Sequence, residues 1–259
     1  MKRTFIMVAA ILLSFMMADA RTVKKNYEID GFTGLSISDA FSVTIEKSKD
    51  FSVEIEVTDE FLPYVSVRNR GGVLEISFDK LPFKLKQKNR NKVALAVIRM
   101  PELTMLMLKG ASSASCRGTF SDPMNKFTLD LAGASSVSGL DLRTPDVYVT
   151  LAGASRAEVN LSAGDVDAVA GGASKLEFTG KASSLQVKLS GASRLDADEF
   201  EVEEADVKAA GASNVTVRAT EELKVDLSGA SRCVYYGDYQ GLNVRVEKVA
   251  GASTLKRKD

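Results

Sequence analysis

Histidine and tryptophan are absent from the 259-residue chain, and cysteine occurs only twice. The missing histidine removes Ser-His-Asp and Cys-His nucleophilic catalysis, the common zinc sites and the usual side-chain switch near neutral pH. Two cysteines cannot form a disulfide scaffold. Neither sign of charge is in excess, with 34 Lys+Arg against 34 Asp+Glu, so net charge does not point to nucleic acid or an acidic membrane. No apolar run is long enough to span a bilayer, which takes roughly 20 residues. The longest, Phe5 to Met17, follows Lys2 and Arg3 and leads into Ala18-Asp19-Ala20. A positive start, a short apolar run and small residues at a cleavage site make residues 1–20 a secretory signal peptide. No Cys follows the run, so a lipid-anchored protein is not expected. Cleavage leaves 32 basic and 33 acidic residues, and the mature chain is expected in the periplasm or at the cell surface.

A repeat dominates the rest. Gly-Ala-Ser begins at Gly110, Gly133, Gly153, Gly172, Gly191, Gly211, Gly229 and Gly251, with spacings of 23, 20, 19, 19, 20, 18 and 22 residues. Two-residue alternation precedes each tripeptide, as in Val147/Val149/Leu151 and Leu223/Val225/Leu227. It resumes after it, as in Leu176/Phe178 and Val215/Val217. Period two with β-branched enrichment means strands. A repeat of about 20 residues holding short strands and no helix is one coil of a solenoid. The expected fold is all-β: a right-handed parallel β-helix of Gly-Ala-Ser coils stacked at ~4.8 Å, a rod of roughly 35–40 Å. The glycine is expected at a corner with positive φ or close backbone approach. Ala and Ser would be small because coils stack there, with the Ser hydroxyls forming a hydrogen-bonded ladder.

Residues 21–103 lack the tripeptide but alternate in the same way, as in Phe41/Val43/Ile45 and Val53/Ile55/Val57, and Gly71-Gly72 reads as a hairpin turn. The expected organisation is a signal peptide over 1–20, a β-rich capping subdomain over 21–103 that can itself begin the coil, and the repeats over 104–259. Gly31-Phe32-Thr33-Gly34-Leu35-Ser36-Ile37, Phe41-Ser42-Val43-Thr44-Ile45, Gly72-Val73-Leu74-Glu75-Ile76, Pro101-Glu102-Leu103 and the run Leu106 to Ser112 carry a family resemblance. Together with the repeated Gly-Ala-Ser they resemble the "putative auto-transporter adhesin" head domain, a GIN-type domain of unknown function common in Bacteroidetes. The resemblance implies a secreted β-helical protein without known enzymatic activity and with no established site residues to carry over. Lys256-Arg257-Lys258-Asp259 closes the chain just after the last repeat, so a membrane barrel following the head is not expected of this polypeptide.

Three features are candidates for function. Residues 62–126 hold 12 basic and 4 acidic residues, with Lys80, Lys84, Lys86, Lys88, Arg90 and Lys92 crowded together. Residues 157–206 hold 4 basic and 11 acidic, with Asp196, Asp198, Glu199, Glu201, Glu203, Glu204 and Asp206 in one run. A basic loop could grip a polyanionic glycan and an acidic one calcium, although charge runs are usually solvated loops. Arg156, Lys175, Arg194 and Arg232 each lie three residues past the Gly, but Glu158, Glu177 and Asp196 two residues further on offset the first three. Tyr235, Tyr236 and Tyr239, beside Gly237, Asp238 and Gly241, suit a sugar or protein contact, and equally an aromatic cap at the end of the rod. Cys116 and Cys233 lie six coils apart, too far for a disulfide, and are expected as buried thiols.

Asp165/Asp167 and Asp196/Asp198 are the close Asp pairs of the repeats, and neither has a matching Arg or Lys set at coil spacing. No Gly-rich phosphate loop, EF-hand or calcium-binding Gly-Gly-x-Gly-x-Asp repeat is present. The expected function is therefore non-enzymatic: an adhesin or binding protein for glycan or protein ligands, without cofactor or metal. A periplasmic structural or assembly protein that self-associates is the alternative, and a polysaccharide-active enzyme ranks below both.

Overall fold

The computed structural model describes residues 21–87, 92–237 and 241–258. The expected signal peptide over residues 1–20, Lys88, Arg90, Asp238, Tyr239 and Asp259 lie outside the described residues. All strands among the described residues join one 19-stranded sheet that winds into a β-solenoid of about eight turns.

The N-terminal part contains β1 (Thr22–Tyr27), β2 (Gly34–Ile37), β3 (Ser42–Lys47), β4 (Ser52–Thr58), β5 (Val65–Arg70), β6 (Val73–Phe78), a short helix α1 (Phe83–Gln87) and β7 (Ala94–Met100). There follow β8 (Met105–Leu108), β9 (Ser113–Arg117), β10 (Thr119–Ser121) and β11 (Phe127–Leu131). Five long strands make the middle of the rod: β12 (Ser136–Leu151), β13 (Arg156–Ala170), β14 (Lys175–Leu189), β15 (Arg194–Ala209) and β16 (Asn214–Leu227). The chain ends in β17 (Arg232–Tyr236), β18 (Asn243–Val249) and β19 (Thr254–Arg257).

Each long strand is a whole coil, running from one Gly-Ala-Ser to the next and pairing in parallel with its neighbours. Alternation buries every second side chain, as Leu195, Ala197, Phe200, Val202, Ala205, Val207 and Ala209 do in β15. Two bends divide the coil into three sides. At the first bend the register shifts, between Val137 and Leu140 in β12 and between Ala197 and Glu201 in β15. At the second, alternation gives way to adjacent exposed residues such as Glu203 and Glu204. The inward residues form one continuous apolar core from Phe32 to Cys233.

The tripeptide makes the third corner. All eight of its glycines have positive φ, between 72° and 84°. Between Gly133 and Gly251 a Cβ would also lie only 2.3–2.6 Å from the carbonyl oxygen of the preceding coil's corner glycine. That carbonyl is occupied, because the next Ala amide donates to it at 2.6–2.8 Å, from Ala134 to Gly110 through Ala252 to Gly229. The intercoil ladder therefore runs through the backbone and not, as expected, through the serines. Ser135, Ser155, Ser193 and Ser213 point inward, and each hydroxyl donates at 2.8 Å to the carbonyl three residues back in its own coil. An inward hydroxyl has its nearest acceptor inside the turn, so it chiefly closes the corner. Contacts between coils are longer and fewer, from Ser174 to the Gly153 carbonyl at 3.5 Å, from Ser231 to the Gly211 carbonyl at 3.4 Å and from the Ser231 amide to the Ser253 hydroxyl at 3.2 Å. The alanines stand outside.

The stacking order at the N-terminal end differs from the chain order. On one side of the rod β6 pairs with β2 and β2 with β8. On the next, β7 pairs with β3 and β3 with β9, all in parallel. The coil β6–β7 thus lies outermost although it follows β2–β3 in sequence. Beyond it the parallel ladder is closed by antiparallel strands, β4 on β7, β1 on β4 and β5 on β6. The β5–β6 turn is the expected hairpin at Gly71-Gly72, with both residues at positive φ. Lys24 on the outer strand reaches Glu54 at 2.9 Å, and charged side chains on an edge discourage further pairing. Phe41, Phe61 and Phe78 pack under this cap, with ring centroids 4.8 Å apart for Phe41–Phe78 and 5.8 Å for Phe61–Phe78.

Replacing Gly191, at φ +72° and where a Cβ would fall 2.6 Å from the Gly172 oxygen, with Val should cost about 3 kcal/mol or more through backbone strain and loss of the Ala192 hydrogen bond. The melting temperature should fall by about 6 °C or more, whereas Ala192→Ser should leave it within a degree or two. Cys116 and Cys233 are free and buried, and burial pushes both thiols up to about 12. Both should stay unreactive to a disulfide reagent at pH 8 and titrate fully only in denaturant. Rapid native reaction would contradict this packing.

Candidate functional site

Parallel register turns each outward position into a column along the rod. The residues three past the corner glycine form one such column: Arg156, Lys175, Arg194, Asn214, Arg232 and Thr254. Its charges are offset within each strand, Lys175 bonding Glu177 at 2.8 Å and Arg194 bonding Asp196 at 3.0 Å. Exposed pairs of this kind contribute little beyond solubility and register.

The second side carries a different arrangement. One column reads Arg143, Ser162, Lys181, Glu201, Arg218 and Tyr236, each the register partner of the next. Beside it runs Thr119, Asp141, Asn160, Thr179 and Glu199. Between them lies a groove of about 750 Å³, lined by the first column from Arg143 to Arg218, by Asp141, Asn160 and Glu199 of the second, and by Gly180 and Asp198. Gly180 provides its floor: at φ +101°, any Cβ there would fall 2.1 Å from the Leu161 oxygen and 2.9 Å from Asn160 Oδ1. A register shift in β15 displaces Asp198 and Glu199 toward the groove, and the Asp198 carbonyl accepts a 2.8 Å hydrogen bond from Arg218 Nε. Thr179 donates to Asn160 at 3.2 Å. Arg143 and Lys181 have no ion-pair partner among the described residues and extend into open space. The groove thus mixes fixed donors and acceptors of both signs.

The aromatic candidates divide. Tyr235 is half-buried against the core and Tyr236 faces outward, with Arg218 5.0 Å and Lys258 5.5 Å from its ring centroid. Tyr236 therefore serves as the seat of Arg218 at one end of the groove. Another coil stacks beyond both residues, since Tyr235 is in register with Arg257 of β19. Tyr239 lies outside the described residues. The acidic run is divided among three sides: Asp196 lies on the first, Asp198, Glu199 and Glu201 line the groove of the second, and Glu204 and Asp206 line a smaller groove on the third. Among the described residues no group of three or more acidic or cysteine side chains is placed to hold a metal. A further acidic column, with Asp165, Glu204 and Glu222, lines a smaller groove on the third side, where Glu222 pairs with Arg245 at 2.9 Å.

Asp198, Glu199 and Glu201 were visible in the sequence only as part of the acidic run, and the groove's cations were not singled out because their distance from the tripeptide drifts. Arg143 lies ten past Gly133, Lys181 nine past Gly172, and Arg218 seven past Gly211. The bulges at the first bend absorb that difference, and a fixed repeat offset does not reveal it.

Several solved structures share the fold. An adhesin-named protein from Parabacteroides merdae ATCC 43184 superimposes with a TM-score of 0.82 at 16% identity, covering 93% of this chain and 98% of that one. Another from Parabacteroides distasonis ATCC 8503 gives 0.83 at 16% identity with the same coverage. A "putative lipid binding protein" from the same strain gives 0.81 at 14%, again covering 93% and 98%. Comparison with curated proteins returns no significant match. The profile of the family described as "Putative auto-transporter adhesin, head GIN domain" matches residues 31–238, and the chain belongs to that family.

Proposed function

We propose that this protein is a non-enzymatic binding protein of the cell envelope or exterior, and that its ligand is an extended glycan lying along the groove of the second side. Family membership and the adhesin names of its structural neighbours support a binding role in general. The groove supports the finer reading. Its rows of side chains repeat at the coil spacing of ~4.8 Å, close to the length of one pyranose unit along a β-1,4-linked chain. Its cations Arg143, Lys181 and Arg218 are balanced by Asp141, Asp198, Glu199 and Glu201, so a neutral ligand rich in hydroxyl donors and acceptors fits better than a polyanion. The observation that carries this is the pair of unpartnered cations, Arg143 and Lys181, held in register beside hydrogen-bonding Asn160 and Ser162. Export by residues 1–20 is consistent with this role. No helix among the described residues is long and apolar enough to cross a membrane.

The test is binding of neutral oligosaccharides of three or more residues, first on an array and then by calorimetry. Arg143→Ala and Lys181→Ala, both outward and away from the core, should each weaken binding about tenfold with an unchanged melting temperature. Affinity should vary little with salt, because no net charge is neutralised. Binding that is unaffected by both substitutions would remove the groove from the account.

A further inference from the structure

The basic crowd noted in the sequence takes a specific form in the N-terminal cap. Lys80, Lys86 and Lys92 line a cavity of about 480 Å³ together with Asp39, and Phe78, Leu81, Ala40 and Ala111 supply the apolar half of its wall. It lies at the corner that residues 38–41 make above Gly110. There Asp39 and Ala40 hold positive φ of 63°, and the chain after β6 departs from the coil into α1. This size, with apolar walls and a few convergent charges, is that of a small-molecule site.

Lys92 is the central group. Its ammonium sits 3.9 Å from the Phe78 ring centroid, 5.7 Å from Phe61 and 6.0 Å from Phe41, and donates to the Asp39 carbonyl at 2.8 Å. Burial lowers its pKa even though Asp39 nearby raises it, so the charge is held partly out of water. Asp39 is the carboxylate of the cavity, and one of its oxygens already accepts from the Phe78 amide at 2.9 Å and the Ser38 hydroxyl at 3.0 Å. Lys80, Lys86 and Lys92 form no salt bridge among the described residues. Three ammonium groups, the half-buried Lys92 and the exposed Lys80 and Lys86 at the rim, therefore face one engaged carboxylate, an excess of positive charge that attracts anions. Phe83, two residues past the cavity-lining Leu81 at the start of α1, stands 73% exposed.

We propose that this cavity binds the head group of an anionic amphiphile, a phosphate or sulfate ester whose apolar part lies against Phe78 and Leu81 and extends toward Phe83. The lysines supply charge-assisted hydrogen bonds to the ester oxygens. The same chemistry is offered by a lipid in a bilayer and by a free amphiphile. The site is independent of the groove, lying in the N-terminal cap while the groove lies on the middle coils of the rod.

The experiment titrates the mature protein with monomeric dodecyl phosphate, inorganic phosphate and uncharged dodecyl maltoside, following the backbone amide resonances of Ala40 and Ala111. A parallel arm measures co-sedimentation with phosphatidylcholine vesicles with and without phosphatidylglycerol. Dodecyl phosphate is expected to bind at least tenfold more tightly than either inorganic phosphate or the maltoside, shifting both alanine resonances. Lys80→Ala and Lys86→Ala, at the exposed rim, should each weaken it about threefold to tenfold without loss of fold, and Lys92→Met more strongly. Capture by the anionic vesicles assigns the site to a lipid head group. Dodecyl phosphate binding without such capture assigns it to a free amphiphile. Equal affinity for the maltoside, no shift at Ala40 or Ala111, or an affinity indifferent to Lys80→Ala and Lys86→Ala would each overturn the proposal.

Discussion

The rod rests on a hydrogen bond that only glycine permits. At each corner the carbonyl of one glycine accepts the amide of the next coil's alanine, across a gap into which a Cβ would intrude. Positive φ turns the chain, and the missing side chain lets the coils close to the spacing of a parallel sheet. The inward serine then closes the turn with its own hydroxyl, so the corner holds its polar groups without water. Everything lateral follows from this registration. Because the corners align, residues at equal positions stand one above another, and side chains 20 positions apart in sequence become neighbours.

Such columns make the surface chemistry collective. Arg156, Lys175 and Arg194 are in line, yet the acidic residue two positions on neutralises two of the three within its own strand. The acidic run from Asp196 to Asp206 is dense in sequence and dilute in space, because one coil carries it around three sides. The groove of the second side arises where the stacking is least regular. There the bulges of β12 and β15 let the outward rows diverge, and Gly180 removes a side chain from the floor. Charge near the cap behaves differently: Lys80, Lys86 and Lys92 gather in an insertion that departs from the coil and folds back over it.

How much of this the sequence revealed depends on how strictly each part obeys the repeat. The tripeptide and the alternation gave the coil, the corner glycines and the buried cysteines, because all sit at constant offsets. The earliest corner was hidden because Asp39 and Ala40 stand where later coils have Gly and Ala. The outer coil has no Gly-Ala-Ser corner to stack there, because the chain leaves the coil after β6. The coil β6–β7 was hidden by the insertion holding α1, and its outermost place by a chain path that visits the second layer before the first. Among the site residues, Tyr235 and Tyr236 were visible as types but not by role. Sequence composition does not show that one packs on the core and the other seats an arginine. Arg143, Lys181 and Arg218 escaped notice because bulges shift their offsets, although the register brings them into one line.

The central claim is that the coil is the unit of structure while the columns crossing coils are the unit of binding. Excising residues 173–191, one full turn from corner to corner, tests both at once, through circular dichroism melting and oligosaccharide binding on the shortened protein. The account predicts a folded β-rich rod that melts cooperatively, a few degrees lower, and loses oligosaccharide binding because Thr179, Gly180 and Lys181 leave the middle of the groove. Failure to fold would contradict the coil as a separable unit, and undiminished binding would contradict the groove.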